Sequence, residues 1–178
     1  SNRASGNRLW EAFNLINLGV NRERKKDPNG ALQYFQQSLQ ILEELGNRPM
    51  TLFSHVGMGN AKLTLGEFDD ARRCFGAALE TCLESSNLPP TTTIAEGVWR
   101  ALRGLGQLSD AAWVLGVERQ LRTSLEIPVP SSDFAAHEEA ASHLRDELGA
   151  SEFQKQVTAG ETTGRDAALE RIRKMALS

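Results

Sequence analysis

A short residue pattern returns along this chain at a fixed interval of 40 residues. Its fullest copy has a turn glycine, Gly66, then a small residue, Ala71, and an aromatic residue, Phe75. The equivalent positions hold Ala31 and Phe35 in the preceding copy and Gly106, Ala111 and Leu115 in the following one. Small and aromatic residues at constant offsets are typical of repeat proteins, in which each unit buries its apolar face against the next. The pattern therefore restricts the chain to a stack of similar units.

Each half of the repeat predicts an amphipathic helix. Apolar residues between Ala31 and Leu42 recur at helical spacing. Asp27 and Pro28 predict the start of that helix as N-cap and first helical residue, and Gly46 predicts its end. Strands are not expected, because sustained alternation of apolar and polar residues is absent. The predicted helices run approximately over 9–24, 28–45, 49–66, 67–84, 93–106, 109–125, 133–148, 151–159 and 163–177.

The order of these elements predicts six segments. Pro128 and Pro130 end the periodic region, because two prolines in three residues cannot continue a helix. The helices after them lie off the 40-residue register, as expected of an atypical terminal unit that covers the last apolar face of an array. The predicted segments are a flexible stretch 1–8, repeats 9–46, 47–88 and 89–126, a linker 127–132 and a helical cap 133–178. Capping boxes at 93–96 and 163–166 predict the starts of the fifth and ninth helices.

Composition excludes several classes of function. The net charge of −3 does not indicate a surface that binds nucleic acid. The basic runs 22–26 and 171–174 are expected to be solvated helix ends. No apolar run is long enough to span a membrane. Cys74 and Cys82 are eight residues apart on one predicted helix, too distant for a disulfide, which fits a reducing, cytoplasmic compartment. No phosphate-binding loop and no nucleophile–base arrangement is visible, so neither a cofactor nor catalysis is predicted.

The histidines do not predict a metal site. His137 and His143 are six residues apart on one predicted helix, which places them about 240° apart around its axis. Both are therefore expected to be solvated on a charged helix. His55 is single in an apolar helix and is expected to be packed and hydrogen-bonded.

Three helix pairs with these residues resemble the tetratricopeptide repeat family. The positions that match the family pattern are Gly19 and Gly59 on the first helices, Gly66 and Gly106 at the turns, Ala31, Ala71 and Ala111, the aromatic Phe35 and Phe75, and the last small residue at Ala78. Trp99, Lys26 and Glu118 depart from it. The period of 40, against the usual 34 of that family, implies longer loops between repeats. The resemblance implies an all-α, right-handed superhelix of three tetratricopeptide-like helix pairs with a C-terminal helical cap.

A narrower resemblance lies toward the C-terminus. The runs 105–116, 144–149 and 159–162, together with Phe153 and an Ala-rich last helix, resemble the helical-repeat region of bacterial regulators of the LuxR or SARP type with an NB-ARC-like switch module. In those regulators the repeat region senses an inducer or partner and restrains an ATPase. This resemblance implies a non-catalytic scaffold or sensor region of a larger bacterial signalling or transcriptional regulator.

The family register places a binding groove on the first helix of each pair. The predicted partner-binding residues are Phe13, Asn17, Val20, Phe53, Asn60, Arg100 and Arg103, with Ile16, Val56, Leu63 and Glu96 beside them. Such a groove is apolar with a partly basic end, and suits an amphipathic helix or extended peptide with an acidic end. The expected occupant is a protein or peptide partner or another domain of the same parent protein, and neither nucleic acid nor a membrane.

Two other arrangements stay open at this point. A small inducer bound between the groove and the C-terminal helices predicts a closed cavity near Trp99. Self-association into a homodimer predicts an uncovered apolar patch around Leu9 and Trp10, because the first helix has no preceding repeat. Several predicted groove residues also suit the interhelical core, and the C-terminal helices could cover others.

Overall fold

The chain is described by a computed structural model that covers residues 2–178, with side chains from residue 5 onward. The described part is all-α and contains no strand, so the all-α prediction is confirmed. The helices are α1 (Asn2–Arg24), α2 (Pro28–Glu44), α3 (Arg48–Leu65), α4 (Phe68–Ser85), α5 (Thr91–Gly104), α6 (Leu108–Leu125), α7 (Phe134–Leu148), α8 (Ala150–Thr162) and α9 (Arg165–Leu177).

The 40-residue period is visible in the backbone. Residues with a left-handed backbone conformation (positive φ) recur at this interval. They follow the first helix of each pair at Lys26, Gly66 and Gly106 and the second helix at Gly46, Ser86 and Glu126. Lys26 therefore takes the conformation of the turn glycine whose position it occupies. The helices α2, α3 and α4 have 17, 18 and 18 residues and are joined by short turns. Between repeats, residues 45–47 join α2 to α3 and the longer stretch 86–90 joins α4 to α5, so most of the period lies in the helices. The longer loops expected between repeats are not seen at the first of these junctions.

Three predicted helix starts were also wrong. The helix α1 begins at Asn2 rather than Leu9, so most of the stretch predicted to be flexible is helical. No proline interrupts this stretch, and Arg8 pairs with Glu44 of α2 at 2.7 Å. The helix α5 begins at Thr91, where the hydroxyl donates to the carbonyl of Leu88 at 2.6 Å. The helix α9 begins after Gly164, without a side-chain cap. By contrast, the predicted cap at Asp27 is confirmed, since its carboxylate accepts from the backbone N–H of Gly30.

The first compact unit, Ser1–Asn87, contains α1 to α4. Consecutive helices pack against each other, and α1 also contacts α3. The ring of Phe35 fills the space between the first helices: a Cβ added at Gly19 would lie 2.7 Å from it, and one at Gly57 would lie 2.3 Å from it. Phe75 stands in the same relation to Gly59. The first-helix glycines are thus needed because the second-helix aromatic rings pack directly on their backbones.

The second compact unit, Leu88–Ser178, contains α5 to α9 and is organised around α6. Residues 111–118 of α6 are all buried. The helix α8 crosses α6 at a pair of glycines, and a Cβ added at Gly116 would lie 2.1 Å from the carbonyl oxygen of Val157. The guanidinium of Arg171 in α9 lies 4.0 Å from the ring centroid of Trp113. The third helix pair and the predicted cap helices therefore share one core.

Candidate functional site

An exposed aromatic face lies on the first helices of the first unit. Phe13 of α1 and Phe53 of α3 are 44% and 52% exposed. They are one period apart and so occupy the same repeat position on two helices that contact each other. Trp10 is 68% exposed and packs edge-on against Phe13, with ring centroids 6.0 Å apart. We call Trp10, Phe13 and Phe53 the aromatic face.

The other groove residues predicted in the first unit differ in how far they are exposed to solvent. Asn17 is exposed beside Phe13, and Asn60 is half-buried on α3. Val20 is half-buried and packs against the core of the unit. Ile16 was wrongly placed in the groove, because only 8% of it is exposed and it belongs to that core. Leu9, predicted for self-association with Trp10, also packs against the core.

The predicted basic end of the groove is neutralised within the second unit. Arg100 pairs with Glu96 at 2.8 Å, and its guanidinium lies 5.2 Å from the ring centroid of Trp99. Arg103 pairs with Glu147 of α7, with an Nε–Oε1 distance of 3.1 Å. Both arginines that were predicted to bind a partner are therefore held in ion pairs within the chain. No sequence pattern sets the register of α7 against α5, so Glu147 could not be identified as the partner of Arg103.

A buried polar cluster joins three helices of the second unit. The carboxylate of Glu118 on α6 accepts from the indole N–H of Trp99 on α5 at 2.7 Å and from Nε of Arg122 at 2.6 Å. Nε2 of His137 on α7 lies 3.0 Å from the same carboxylate. Arg122 also donates to Glu96 at 2.9 Å. We call Trp99, Glu118, Arg122 and His137 the carboxylate cluster.

The carboxylate cluster arises from two departures from the repeat pattern. Trp99 stands at the position of Gly19 and Gly59, and Glu118 at that of Ala78. In the first unit a first-helix glycine leaves room for a second-helix phenylalanine, whereas here Trp99 occupies the space and the second-helix residue is the smaller Leu115. An indole N–H in the core needs an acceptor, and Glu118 supplies it. Both departures are visible in the sequence, but their pairing with His137 requires the tertiary structure.

His137 contradicts its expected solvation. Only 3% of it is exposed, because α7 turns this residue inward against α6. The hydrogen bond to Glu118 raises the pKa of His137 above its ordinary value, although burial opposes this. Burial is the largest single influence on the pKa of Glu118 and by itself raises it. The hydrogen bonds and positive charges of His137 and Arg122 together outweigh burial and hold the pKa below its ordinary value. Both directions favour the charged pair and therefore a stable contact between α6 and α7.

The carboxylate cluster also brings metal-ligating groups together. Ligand atoms of Glu96, Glu118 and His137 all lie within 4.8 Å of one another. However, Arg122 already bonds to both carboxylates and supplies the positive charge that a divalent cation would bring. A metal ion would have to displace a buried guanidinium, so we assign the cluster a structural role.

The remaining candidate groups in the first unit do not form a catalytic arrangement with described neighbours. His55 is half-buried, and burial lowers its pKa. The hydrogen bond expected for it is not found among the described side chains. It lines an open cavity of about 410 Å³ together with Leu42, Glu43, Gly46, Arg48, Thr51, Ala77, Glu80 and Thr81. Burial raises the pKa of both free cysteines, that of Cys82 to about 11, so their thiolates are scarce at neutral pH.

Comparison with known protein families gave a match within the first unit. Residues 10–84, which hold most of α1 and α2 to α4, match the family model described as Tetratricopeptide repeat. This stretch has a tetratricopeptide repeat fold. Together with the all-helical architecture, the match confirms the predicted tetratricopeptide-like fold class. No curated protein and no solved structure gave a significant match. Within the described chain, no helix is both long and apolar enough to cross a membrane.

Proposed function

We propose that this chain is a non-catalytic protein-interaction module whose partner binds the aromatic face. Tetratricopeptide repeats generally bind protein partners, and the matched residues 10–84 contain all three aromatic side chains. The observation that carries the proposal is the exposure of Phe13 and Phe53 at equivalent repeat positions. Large apolar side chains that are exposed together often mark an interaction site, and aromatic residues are frequent anchors of interfaces.

The geometry of the aromatic face suits a peptide or helix. Packed helices lie about 8–10 Å apart, so two equivalent side chains on contacting helices present anchors at roughly that separation. An amphipathic helix places apolar residues about 10 Å apart at positions i and i+7. The neighbouring amides of Asn17 and Asn60 offer donors and acceptors to the partner's polar groups.

The test is a selection of binding peptides from a displayed library on the wild-type chain. We expect the selected peptides to lose binding to Phe13→Ala/Phe53→Ala. Phe134→Ala is the matched control, because Phe134 is also an exposed phenylalanine, at 55%, but lies in the second unit. Peptides that bind the double variant as well as they bind the wild type would refute the proposal.

The regulatory context rests on the sequence resemblance alone. We propose that the chain is the repeat region of a larger bacterial signalling or transcriptional regulator, acting in the cytoplasm on a partner or on a domain of the same parent protein. The C-terminal runs that resemble LuxR-type and SARP-type regulators support this, and the separated cysteines support a reducing compartment.

A small-molecule sensor is the less favoured alternative. Its predicted cavity was to lie near Trp99, but this side chain is fully buried and its polar atom is bonded to Glu118. The space that an inducer would need there is filled by Glu118 and His137. Protein binding is therefore preferred over inducer binding.

A further inference from the structure

A second exposed surface of α1 adjoins the aromatic face at Trp10. It is a shallow depression of about 520 Å³ lined by Asn7, Trp10, Glu11, Asn14, Leu15 and Leu18. Leu18 is 44% exposed at the edge of the depression, and Trp10 borders both surfaces. Leu15 at its floor is half-buried, because part of its side chain packs against the core of the first unit. A depression lined by one helix, with apolar side chains at its floor and edge, is a suitable seat for another helix.

Four residues beside this depression form a seam along α1. Glu11, Leu15, Leu18 and Arg22 are spaced four, three and four residues apart. At 100° per residue they lie within about 60° of one another around the helix. Alternating steps of four and three are the spacing by which helices pack side by side. The seam has two leucines at its centre and opposite charges at its ends.

The seam is complementary to itself in the antiparallel direction. A copy of α1 reversed about the midpoint between Leu15 and Leu18 places each leucine opposite the other one. The same reversal places Glu11 opposite Arg22, and does so twice because the arrangement has twofold symmetry. We propose that a second copy of this chain binds here, with the two α1 helices antiparallel.

The charges on the described side chains permit these two ion pairs. Glu11 is exposed and has no ion pair with any residue whose side chain is described. Arg22 donates to Asp27 at 3.2 Å and lies 5.9 Å from the ring centroid of Tyr34. Because a guanidinium has five N–H donors, Arg22 retains donors for a second carboxylate.

The positive charge of Arg8, which flanks the seam, is compensated by an acidic residue of the same chain. Arg8 precedes Glu11 by one helical step, and in the reversed copy it lies opposite Lys25. Arg8 is already paired with Glu44 of α2 at 2.7 Å, which offsets the repulsion between the two cations. A partner of unrelated sequence has no reason to match this order of charges, whereas a second copy matches it by symmetry.

Light scattering coupled to size-exclusion chromatography, over a concentration series, tests the proposal. We expect the wild-type chain to reach twice the mass of a single chain, and Leu18→Glu to remain monomeric. Glu11→Arg and Arg22→Glu should each weaken dimerisation by about tenfold, because each alters two symmetric ion pairs. The charge-swapped variant Glu11→Arg/Arg22→Glu should restore it. Circular dichroism verifies that each variant remains folded.

Phe53→Ala separates this proposal from the proposed partner site. It should leave the dimer intact while it weakens peptide binding, and Leu18→Glu should do the reverse. A wild-type chain that stays monomeric up to about 0.5 mM, near the weak end of specific association, would overturn the proposal. Failure of the charge swap to restore dimerisation in a folded variant would overturn it as well.

Discussion

Removal of the Glu118 carboxylate should strongly destabilise the second unit. In Glu118→Ala, the indole N–H of Trp99 loses its acceptor in a fully buried position, and His137 loses its hydrogen-bond partner. Arg122 retains Glu96. An unsatisfied buried donor costs about 1–3 kcal/mol, and breaking a buried ion pair costs about 3–5 kcal/mol. We expect the free energy of unfolding to fall by about 3–5 kcal/mol, since these costs overlap.

The assay is urea denaturation followed by tryptophan fluorescence. The chain has three tryptophans, and Trp10 is the one that lies in the first unit. In a Trp10→Phe background, the fluorescence of Trp99 and Trp113 therefore reports on the second unit alone. Glu147→Ala is the matched control, because it removes a carboxylate from an ion pair that is exposed to solvent and so should cost less than about 1 kcal/mol.

The comparison between these two variants decides the role of the carboxylate cluster. If Glu118→Ala destabilises the second unit no more than Glu147→Ala does, the hydrogen bonds of Glu118 do not contribute as a buried network. The assignment of Trp99 and Glu118 as compensating departures from the repeat pattern would then be wrong.

Two further predictions concern the same unit. The raised pKa of His137 means that its stabilising contribution is fully present below its ordinary pKa of 6.5 and is lost as the pH rises through the folded-state value. Amide hydrogen exchange of α7, corrected for the intrinsic exchange rate, should therefore accelerate with rising pH in the wild type and in the control His143→Gln. It should not accelerate in His137→Gln. An equal pH dependence of exchange in all three proteins would contradict this role of His137. Gly116→Ala would place a Cβ 2.1 Å from the Val157 carbonyl oxygen, so α6 and α8 must separate. The free energy of unfolding should then fall by about 1–3 kcal/mol in the same urea assay. An unchanged midpoint would contradict the close crossing of the two helices.

The architecture was predictable because local and periodic signals agree. The interval between Phe35 and Phe75 predicts equivalent second helices, and the structure packs both rings on first-helix glycines. Asp27 caps α2 as predicted, since a cap depends only on residues three positions apart. The length of the first connection between repeats was misjudged, because a period states the distance between equivalent residues but not how that distance is divided between helix and loop.

The candidate sites were predictable only in part. Exposure of Phe13 and Phe53 follows from the repeat register, which states the face of the first helices on which they lie. His137 was misread because its neighbours Glu138 and Glu139 are charged, and only the packing of α7 on α6 shows which face is buried. The ion pair of Arg103 could not be predicted for the same reason, since α7 supplies Glu147 across 44 residues of sequence.

The central claim is that the aromatic face of α1 and α3 binds a protein partner. It is tested most directly by the dissociation constant of a selected peptide, measured by fluorescence anisotropy on the wild type, Phe13→Ala/Phe53→Ala and Phe134→Ala. Loss of two aromatic anchors of about 2 kcal/mol each predicts a dissociation constant about 1,000-fold higher for the double variant and no more than about twofold higher for Phe134→Ala. Equal affinity of all three proteins would contradict the account.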